Sequence, residues 1–246
     1  VRSRQRSGLR WTVRAGTTER MLDAVLESPD VFLADPKQQF KNSRNVTIAR
    51  IPRAGETAWV LRRLNYGKRL HRLRDSLRPT RAHRAFHHGL RLEEAGVATA
   101  RVLAVGEIRR LGWPVCAYLL TEEIPGAVTL QQLLQTRPAT VTTDLASLAR
   151  ILARLHSAGF SHRDLKAANV LFDDRMRPHL IDLDGVRRMR GPTQRQSVAD
   201  LARLAKDLMA VPTISRDDWD AFLQTYCRHR GLTDWLWWRT EIAKQL

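Results

Sequence analysis

The sequence contains few cysteines and no long apolar run. Its only two cysteines, Cys116 and Cys227, lack the spacing of a metal-ligand set, which excludes a disulfide scaffold and favours a reducing compartment. No apolar segment approaches the roughly 18 residues needed to cross a bilayer, so any membrane contact is expected to be peripheral. Five arginines within residues 1–14 are not followed by an apolar segment, which argues against a secretory signal. We therefore expect a cytoplasmic protein.

Acidic and aromatic residues are also scarce. The 25 Asp and Glu residues are outnumbered by 42 Lys and Arg residues, which gives a net charge of +17. Such an excess favours anionic partners, such as nucleic acid, phosphorylated glycans or acidic membrane surfaces. Because aromatic residues make up only 7% and no nucleic-acid motif is recognised, base stacking is not indicated and no specific nucleic acid is expected.

One segment, residues 162–169, carries the chemistry of the chain. Asp164 can accept the proton of an attacking hydroxyl, and Lys166 can reach the same phosphate. Asn169 and, thirteen residues later, Asp182 offer the hard oxygen ligands that Mg²⁺ prefers. The apolar runs between them, separated by a polar turn, predict a β-hairpin that brings the two metal ligands back to one end.

These motifs resemble the protein-kinase-like superfamily, whose catalytic loop is H-R-D-x-x-x-x-N with a metal-binding Asp downstream. Asp182-Leu183-Asp184-Gly185 stands where protein kinases have Asp-Phe-Gly, and no Ala-Pro-Glu triplet follows. This form is similar to the bacterial lipopolysaccharide kinases, the Kdo/heptose kinases of the Kdo/WaaP-like family, which phosphorylate 3-deoxy-manno-octulosonic acid or heptose of the inner core. Arg62-Arg63-Leu64-Asn65-Tyr66 and Arg84-Ala85-Phe86 resemble small-lobe segments of that family, and the resemblance runs from about Phe40 to Tyr226.

The resemblance implies a two-lobed α+β fold that uses ATP and Mg²⁺. We expect a single kinase-like domain over residues 1–246, with a small lobe of antiparallel sheet and one main helix at 39–122 and a mainly helical large lobe at 123–246. Residues 1–38 are expected to form an N-terminal arm and a short helix. The basic residues 1–16 are interpreted as a mobile arm, with an electrostatic tether as the alternative.

The same resemblance predicts the nucleotide contacts. Arg62 falls where the family has a phosphate-binding Lys, and an arginine fork does not reproduce the geometry of an ammonium. Ala85 falls where the partner Glu would lie, so the usual ion pair is absent as aligned. The groups that could substitute are Lys41 or Lys68 for the cation and Glu93 or Glu94 for the acid.

Two further segments complete the predicted nucleotide site. The turn Ser43-Arg44-Asn45 corresponds to the phosphate-covering loop but contains no glycine, and its backbone N–H groups can still bind phosphate. Around Glu122 and Ile124, the backbone is expected to bind adenine.

Several other residues leave alternatives open. His156 is interpreted as a packed histidine rather than a catalyst, because no nucleophile lies near it in the sequence. Asp184 is either a second metal contact or a turn residue. Asp200 either braces the catalytic loop or, with Ser197, caps a helix. The tryptophans of residues 235–238 either pack in the core or anchor at a membrane interface.

The leading functional prediction is a kinase that transfers the γ-phosphoryl group of ATP to a sugar hydroxyl of an anionic glycolipid. The alternatives are a kinase for a protein or a small metabolite, a degenerate nucleotide-binding pseudokinase, and a basic module for nucleic acid. The short segment after Gly185 leaves little room for a peptide-docking platform and argues against a regulated protein kinase.

Overall fold

The computed structural model describes residues 1–6, 8–17, 20–66, 78–136, 141–189 and 194–246. Helices and β-strands form two compact units, one of residues 1–90 and 100–123 and the other of residues 91–99 and 124–246. The predicted α+β class is confirmed. Within the described ranges, no helix has the length and apolarity needed to cross a membrane.

The first unit is built on a seven-stranded antiparallel sheet in the order β1-β2-β6-β7-β5-β4-β3. Its strands are β1 (Arg2–Arg6), β2 (Leu9–Val13), β3 (Gln39–Asn42), β4 (Val46–Ile51), β5 (Trp59–Asn65), β6 (Val102–Arg110) and β7 (Trp113–Glu122). The helices α1 (Arg20–Glu27) and α2 (Pro29–Leu33) lie between β2 and β3 in the sequence, and α3 (Arg81–Glu94) follows β5. The antiparallel sheet predicted within residues 39–122 is therefore confirmed.

The N-terminus is part of this sheet, so the prediction of a mobile arm over residues 1–16 is wrong. Leu9, Trp11 and Val13 alternate with polar residues along β2 and are buried, as expected for a strand with one face on a core. Trp11 is fully buried, and its Nε1 donates to the Leu26 carbonyl oxygen at 3.0 Å. This apolar alternation outweighs the five arginines that suggested an arm.

The hydrophobic core of the first unit lies between α1, α2 and one face of the sheet. Its members come from both helices and from five strands, and the largest fully buried ones are Trp11, Trp59, Tyr118, Leu22, Leu26, Ile51 and Leu61. Along β5 the side chains alternate between faces, so Arg62 lies on the sheet face opposite to Leu61.

The second unit is mainly helical. It contains β8 (Val128–Thr129), α4 (Leu130–Thr136), α5 (Val141–Ser157), β9 (Phe160–Ser161), β10 (Val170–Phe172), β11 (Pro178–Leu180), β12 (Arg187–Arg188), α6 (Gln194–Met209), α7 (Arg216–His229) and α8 (Trp235–Ala243). The helices α5 and α7 pack together. The pairing of β10 with β11 confirms the predicted hairpin, and Thr129 with Gln132 forms a capping box at the start of α4.

The last helix divides the tryptophan cluster. Trp238 is 2% exposed and packs edge to face against Tyr226 at a ring distance of 5.4 Å. Trp237 is 37% exposed, and Leu236 beside it is 54% exposed. The core interpretation therefore holds for Trp238 but not for Trp237.

Candidate active site

The catalytic loop joins β9 to β10 in the second unit. His162 is fully buried, and its Nε2 lies 2.8 Å from the Ile181 carbonyl oxygen. Because a carbonyl only accepts, this contact places the proton of the imidazole on Nε2. Arg163 follows in the left-handed region with φ of 65°, a conformation that costs about 1–2 kcal/mol for a non-glycine residue. This bend exposes Arg163 and directs the chain into Asp164.

Asp164, Lys166 and Asn169 meet at the centre of this loop. The Lys166 ammonium donates to Asp164 Oδ2 at 2.9 Å. Asn169 Nδ2 donates to the Asp164 carbonyl oxygen at 2.8 Å and to Asp164 Oδ2 at 3.0 Å. The side chains of Asp164 and Lys166 remain about half exposed, at 50% and 47%. The loop therefore holds an accessible carboxylate in a fixed orientation beside an ammonium group.

Lys166 is held in its charged form. The hydrogen bond to Asp164 raises the pKa of Lys166, burial lowers it by a lesser amount, and the negative charges of Asp164, Asp182 and Asp207 raise it further. A permanent positive charge two residues after the carboxylate suits a site that binds phosphate.

Asn169 and Asp182 have the chemistry of a Mg²⁺ site. The chain after β11 returns to the loop, where the Ile181 N–H donates to the Asn169 carbonyl oxygen at 3.0 Å, and Asp182 follows with φ of 61°. Because Asn169 Nδ2 is engaged by Asp164, its Oδ1 is the atom that could ligate a metal ion. In the described ranges, no three His, Cys, Asp or Glu residues form a metal cage. Mg²⁺ commonly takes only one or two protein oxygens and completes its shell with phosphates and water, so the pair fits this ion.

Asp200 braces the start of the loop from α6. It is fully buried, and its Oδ2 accepts the backbone N–H of His162 at 2.7 Å and the Ser161 hydroxyl at 2.8 Å. Its Oδ1 accepts the backbone N–H of Arg163 at 2.8 Å. The alternative of a helix-capping box with Ser197 is wrong, because α6 already begins by Gln194 and both residues lie inside it.

The pKa of Asp200 is lowered. Burial alone raises it, but hydrogen bonds from His156, Ser161 and the Arg163 N–H outweigh that effect. His156 is also buried, and burial lowers its pKa in spite of Asp200. Its Nε2 lies 3.3 Å from Asp200 Oδ2 and its Nδ1 lies 2.8 Å from the Tyr226 hydroxyl. These contacts confirm His156 as a packed histidine that supports the brace.

Asp207 is a functional candidate that the sequence analysis missed. Its Oδ2 accepts the backbone N–H of Ala167 at 2.7 Å, within the catalytic loop. Asp207 follows Asp200 by seven residues, two helical turns, so both carboxylates lie on one face of α6. That spacing is the signal by which the sequence could have revealed it.

The residues predicted to bind nucleotide phosphate belong mostly to the first unit. Arg62 is half-buried in β5, opposite Ile48 on β4 and Leu119 on β7. The turn Ser43-Arg44-Asn45 is exposed between β3 and β4 and is closed by the Ser43 hydroxyl, which bonds the Val46 carbonyl oxygen at 3.0 Å. The backbone of this turn is therefore ordered by its own side chain.

The two predicted adenine contacts lie at the end of β7. Glu122 ends that strand and forms an ion pair with Arg101 at 2.7 Å. Ile124 is buried, and its carbonyl oxygen accepts the N–H of Ala127 at 3.3 Å. The role of both in binding adenine stays a prediction.

The groups proposed to replace the usual Lys–Glu pair are dispersed. Ala85 is buried in α3, Lys41 is exposed on β3, and Glu93 and Glu94 are exposed at the end of α3. Lys68 lies outside the described residues. Asp184 is half-buried two residues after Asp182, and its role as metal contact or turn residue stays open.

Residues 32–226 match the model of the Lipopolysaccharide kinase (Kdo/WaaP) family. The 3-deoxy-D-manno-octulosonic acid kinase of Vibrio parahaemolyticus serotype O3:K6 is 33% identical over 128 residues, which cover 52% of this chain and 53% of that protein. The kinase of the same name from Vibrio cholerae serotype O1 is 32% identical over 106 residues, which cover 43% of this chain and 44% of that protein. The chain thus aligns with about half the length of these curated relatives.

Solved structures show the same fold. A structure described as WaaP in complex with acyl carrier protein matches with a TM-score of 0.64 at 21% identity, over 96% of this chain and 98% of that chain. A crystal structure of WbdD matches with a TM-score of 0.54 at 19% identity, over 83% of this chain and 44% of that chain. At these identities the likeness supports the protein-kinase-like fold. Since the family model covers most of the sequence, including the whole catalytic loop, the chain belongs to the lipopolysaccharide kinase (Kdo/WaaP) family.

Proposed function

We propose that the protein transfers the γ-phosphoryl group of ATP to a sugar hydroxyl of the lipopolysaccharide inner core. The contact of Asp164 with both Lys166 and Asn169 carries this proposal, because it joins a base, a cation and a metal ligand in one loop. The names of the two Vibrio relatives support a sugar acceptor.

Each residue of the loop has a distinct role in the proposed reaction. Asp164 accepts the proton of the attacking hydroxyl on its exposed carboxylate, while Asn169 fixes the orientation of that carboxylate. Lys166 neutralises negative charge on the transferred group. Asn169 Oδ1 and Asp182 would hold Mg²⁺, which when bound screens the charge of the nucleotide phosphates.

Nucleotide binding is assigned to residues of the first unit and to the backbone that directly follows β7 in the sequence. We infer that Arg62 contacts phosphate from its half-buried position on β5. The backbone of Ser43, Arg44 and Asn45 binds phosphate oxygens through N–H groups, and the backbone near Glu122 and Ile124 binds the adenine ring.

The proposed acceptor is an anionic glycolipid at the cytoplasmic face of the membrane. The net charge of +17 supports this choice, because each Lys or Arg near an acidic surface contributes on the order of 1 kcal/mol. The turn between β6 and β7 adds a candidate contact: Leu111 is 98% exposed at φ of 51°, between Arg110 and the 37% exposed Trp113. The side chain of Leu111 is not buried by the protein core, so the left-handed conformation of its backbone is not compensated by packing there. Insertion into a lipid surface would bury this side chain.

A phosphate-transfer assay tests the reaction. Wild-type protein is incubated with Mg²⁺, γ-labelled ATP and one of four acceptors: purified inner-core glycolipid, generic protein, RNA or a mixture of soluble metabolites. Label is expected in the glycolipid alone. Asp164→Asn should lower turnover about 10²- to 10⁴-fold while ATP binding persists, and Asp182→Ala should weaken MgATP binding in calorimetry. Asp217→Asn, an exposed aspartate on α7, serves as the matched control. If label appeared only in protein or only in a soluble metabolite, that class of molecule would be the acceptor in place of the glycolipid. If no acceptor were labelled, the protein would be a pseudokinase.

Vesicle cosedimentation tests the membrane contact. Binding to acidic vesicles should exceed binding to neutral vesicles and fade at 1 M salt, where the Debye length is roughly 3 Å. Leu111→Ser should weaken binding, whereas Val31→Ser, which changes a 70% exposed residue of α2, should not. Equal binding to acidic and neutral vesicles would contradict the proposal.

A further inference from the structure

The catalytic loop ends in a short 3₁₀ turn, Ala167–Asn169. The first N–H groups of any helical turn have no partner inside the turn. Ala167 is 1% exposed, so water does not satisfy its N–H group. Asp207 Oδ2 accepts this N–H at 2.7 Å, which ties the turn directly to α6.

Asp200 and Asp207 therefore hold the loop at both ends from one helix face. Asp200 accepts the N–H groups of His162 and Arg163 before the catalytic carboxylate, and Asp207 accepts that of Ala167 after Lys166. Asp164 and Lys166 lie on the segment between these two attachments. Asp200 fixes the position of the backbone before Asp164. Only Asp207 fixes the start of the 3₁₀ turn that contains Asn169.

We propose that Asp207 is a positioning residue for phosphoryl transfer. By holding the start of the 3₁₀ turn, it places Asn169 so that its side chain contacts Asp164 and could ligate Mg²⁺. The inference rests on the proposed function for its catalytic meaning. Asp207 itself does not contact the substrate; its effect on the reaction is transmitted through Ala167 and Asn169. Its negative charge also lies close enough to Lys166 to help keep that ammonium protonated.

Two substitutions separate the hydrogen bond from the charge. Asp207→Ala removes both, whereas Asp207→Asn keeps an acceptor oxygen for the Ala167 N–H and removes only the charge. Asp207→Ala should lower kcat by roughly 10- to 100-fold and raise the Mg²⁺ concentration required for half-maximal rate, as is usual when a group that orients a metal ligand is lost. Asp207→Asn should keep kcat within about threefold of wild type, because the amide oxygen accepts the same N–H group. Lys206→Ala, an exposed neighbour on the same helix, is the matched control.

The closing experiment adds amide hydrogen exchange, which does not depend on activity. Exchange at Ala167–Asn169 should be faster in Asp207→Ala than in wild type and near wild type in Asp207→Asn, with the rest of α6 unchanged. Unchanged exchange at Ala167 in Asp207→Ala would overturn the proposal, as would a kcat and Mg²⁺ dependence equal to wild type. Loss of protection throughout α6 would also overturn it, because Asp207 would then stabilise the helix rather than position the loop. If wild type transfers no phosphate but Ala167 alone loses protection, the proposed function fails while the positioning contact stands.

Discussion

Trp11→Ala tests whether the N-terminal strands are part of the folded core. The indole is fully buried in the core of the first unit, packs on Tyr118 at a ring distance of 5.8 Å and donates to the Leu26 carbonyl oxygen. It also packs closely against Gly106 of β6, since a Cβ added there would be 2.6 Å from the indole ring. The strand pairing of β2 with β6 thus depends on a glycine and a tryptophan that fit one another.

The expected cost of this substitution follows from these contacts. Replacing a buried Trp by Ala typically costs about 3–5 kcal/mol, and the unpaired Leu26 carbonyl adds about 1 kcal/mol or more. Against a total stability of roughly 5–15 kcal/mol, the first unit should be severely weakened. Gly106→Ala should be destabilising for the same reason, because the added methyl group meets the indole.

Urea unfolding followed by tryptophan fluorescence and circular dichroism measures the effect. Trp113→Ala, which removes a 37% exposed tryptophan from the same unit, controls for the loss of fluorescence and should cost about 1 kcal/mol or less. If Trp11→Ala changed the free energy of unfolding no more than Trp113→Ala, residues 1–16 would be the mobile arm that the arginine content suggested. The strand assignment would then be refuted.

Three further predictions concern the second unit and β5. Asp200→Ala leaves the buried N–H groups of His162 and Arg163 without their acceptor and should cost about 3–5 kcal/mol in urea unfolding; a loss below about 1 kcal/mol would contradict the brace. Burial raises the pKa of Asp173, but hydrogen bonds from Arg177, His179 and the Arg175 N–H overcome it and lower the pKa from 3.8 to about 2. Ionised Asp173 should therefore contribute about 2 kcal/mol above pH 4. That stability should disappear as the pH falls from about 4 to about 2, and Asp173→Asn measured by thermal unfolding at several pH values should lose this pH dependence. Arg62→Ala should reduce turnover strongly while Arg62→Lys, which restores the ammonium that the family has at this position, retains it. Unchanged kinetics in Arg62→Ala would move the phosphate contact to Lys41 or Lys68.

The sequence by itself determined the catalytic loop and its hairpin. Asp164, Asn169 and Asp182 are separated by short distances along the chain, and the apolar runs of β10 and β11 bring them together through local pairing. Their identity and spacing carry the predicted chemistry, so no knowledge of distant contacts was needed to propose them. The strands β4 to β7 were predictable for the same reason, since alternation and turns are local signals.

Only the tertiary structure decided what holds that loop in place. Asp200 and Asp207 lie 37 and 40 residues beyond the backbone groups they bind at Arg163 and Ala167, and Asp200 fits a helix cap equally well in the sequence. Likewise, β2 joins the sheet by pairing with β6, more than ninety residues away. In this pairing the buried Trp11 packs against Gly106. Such contacts depend on which helix face and which strand edge are brought together by packing, and a one-dimensional pattern does not specify that choice.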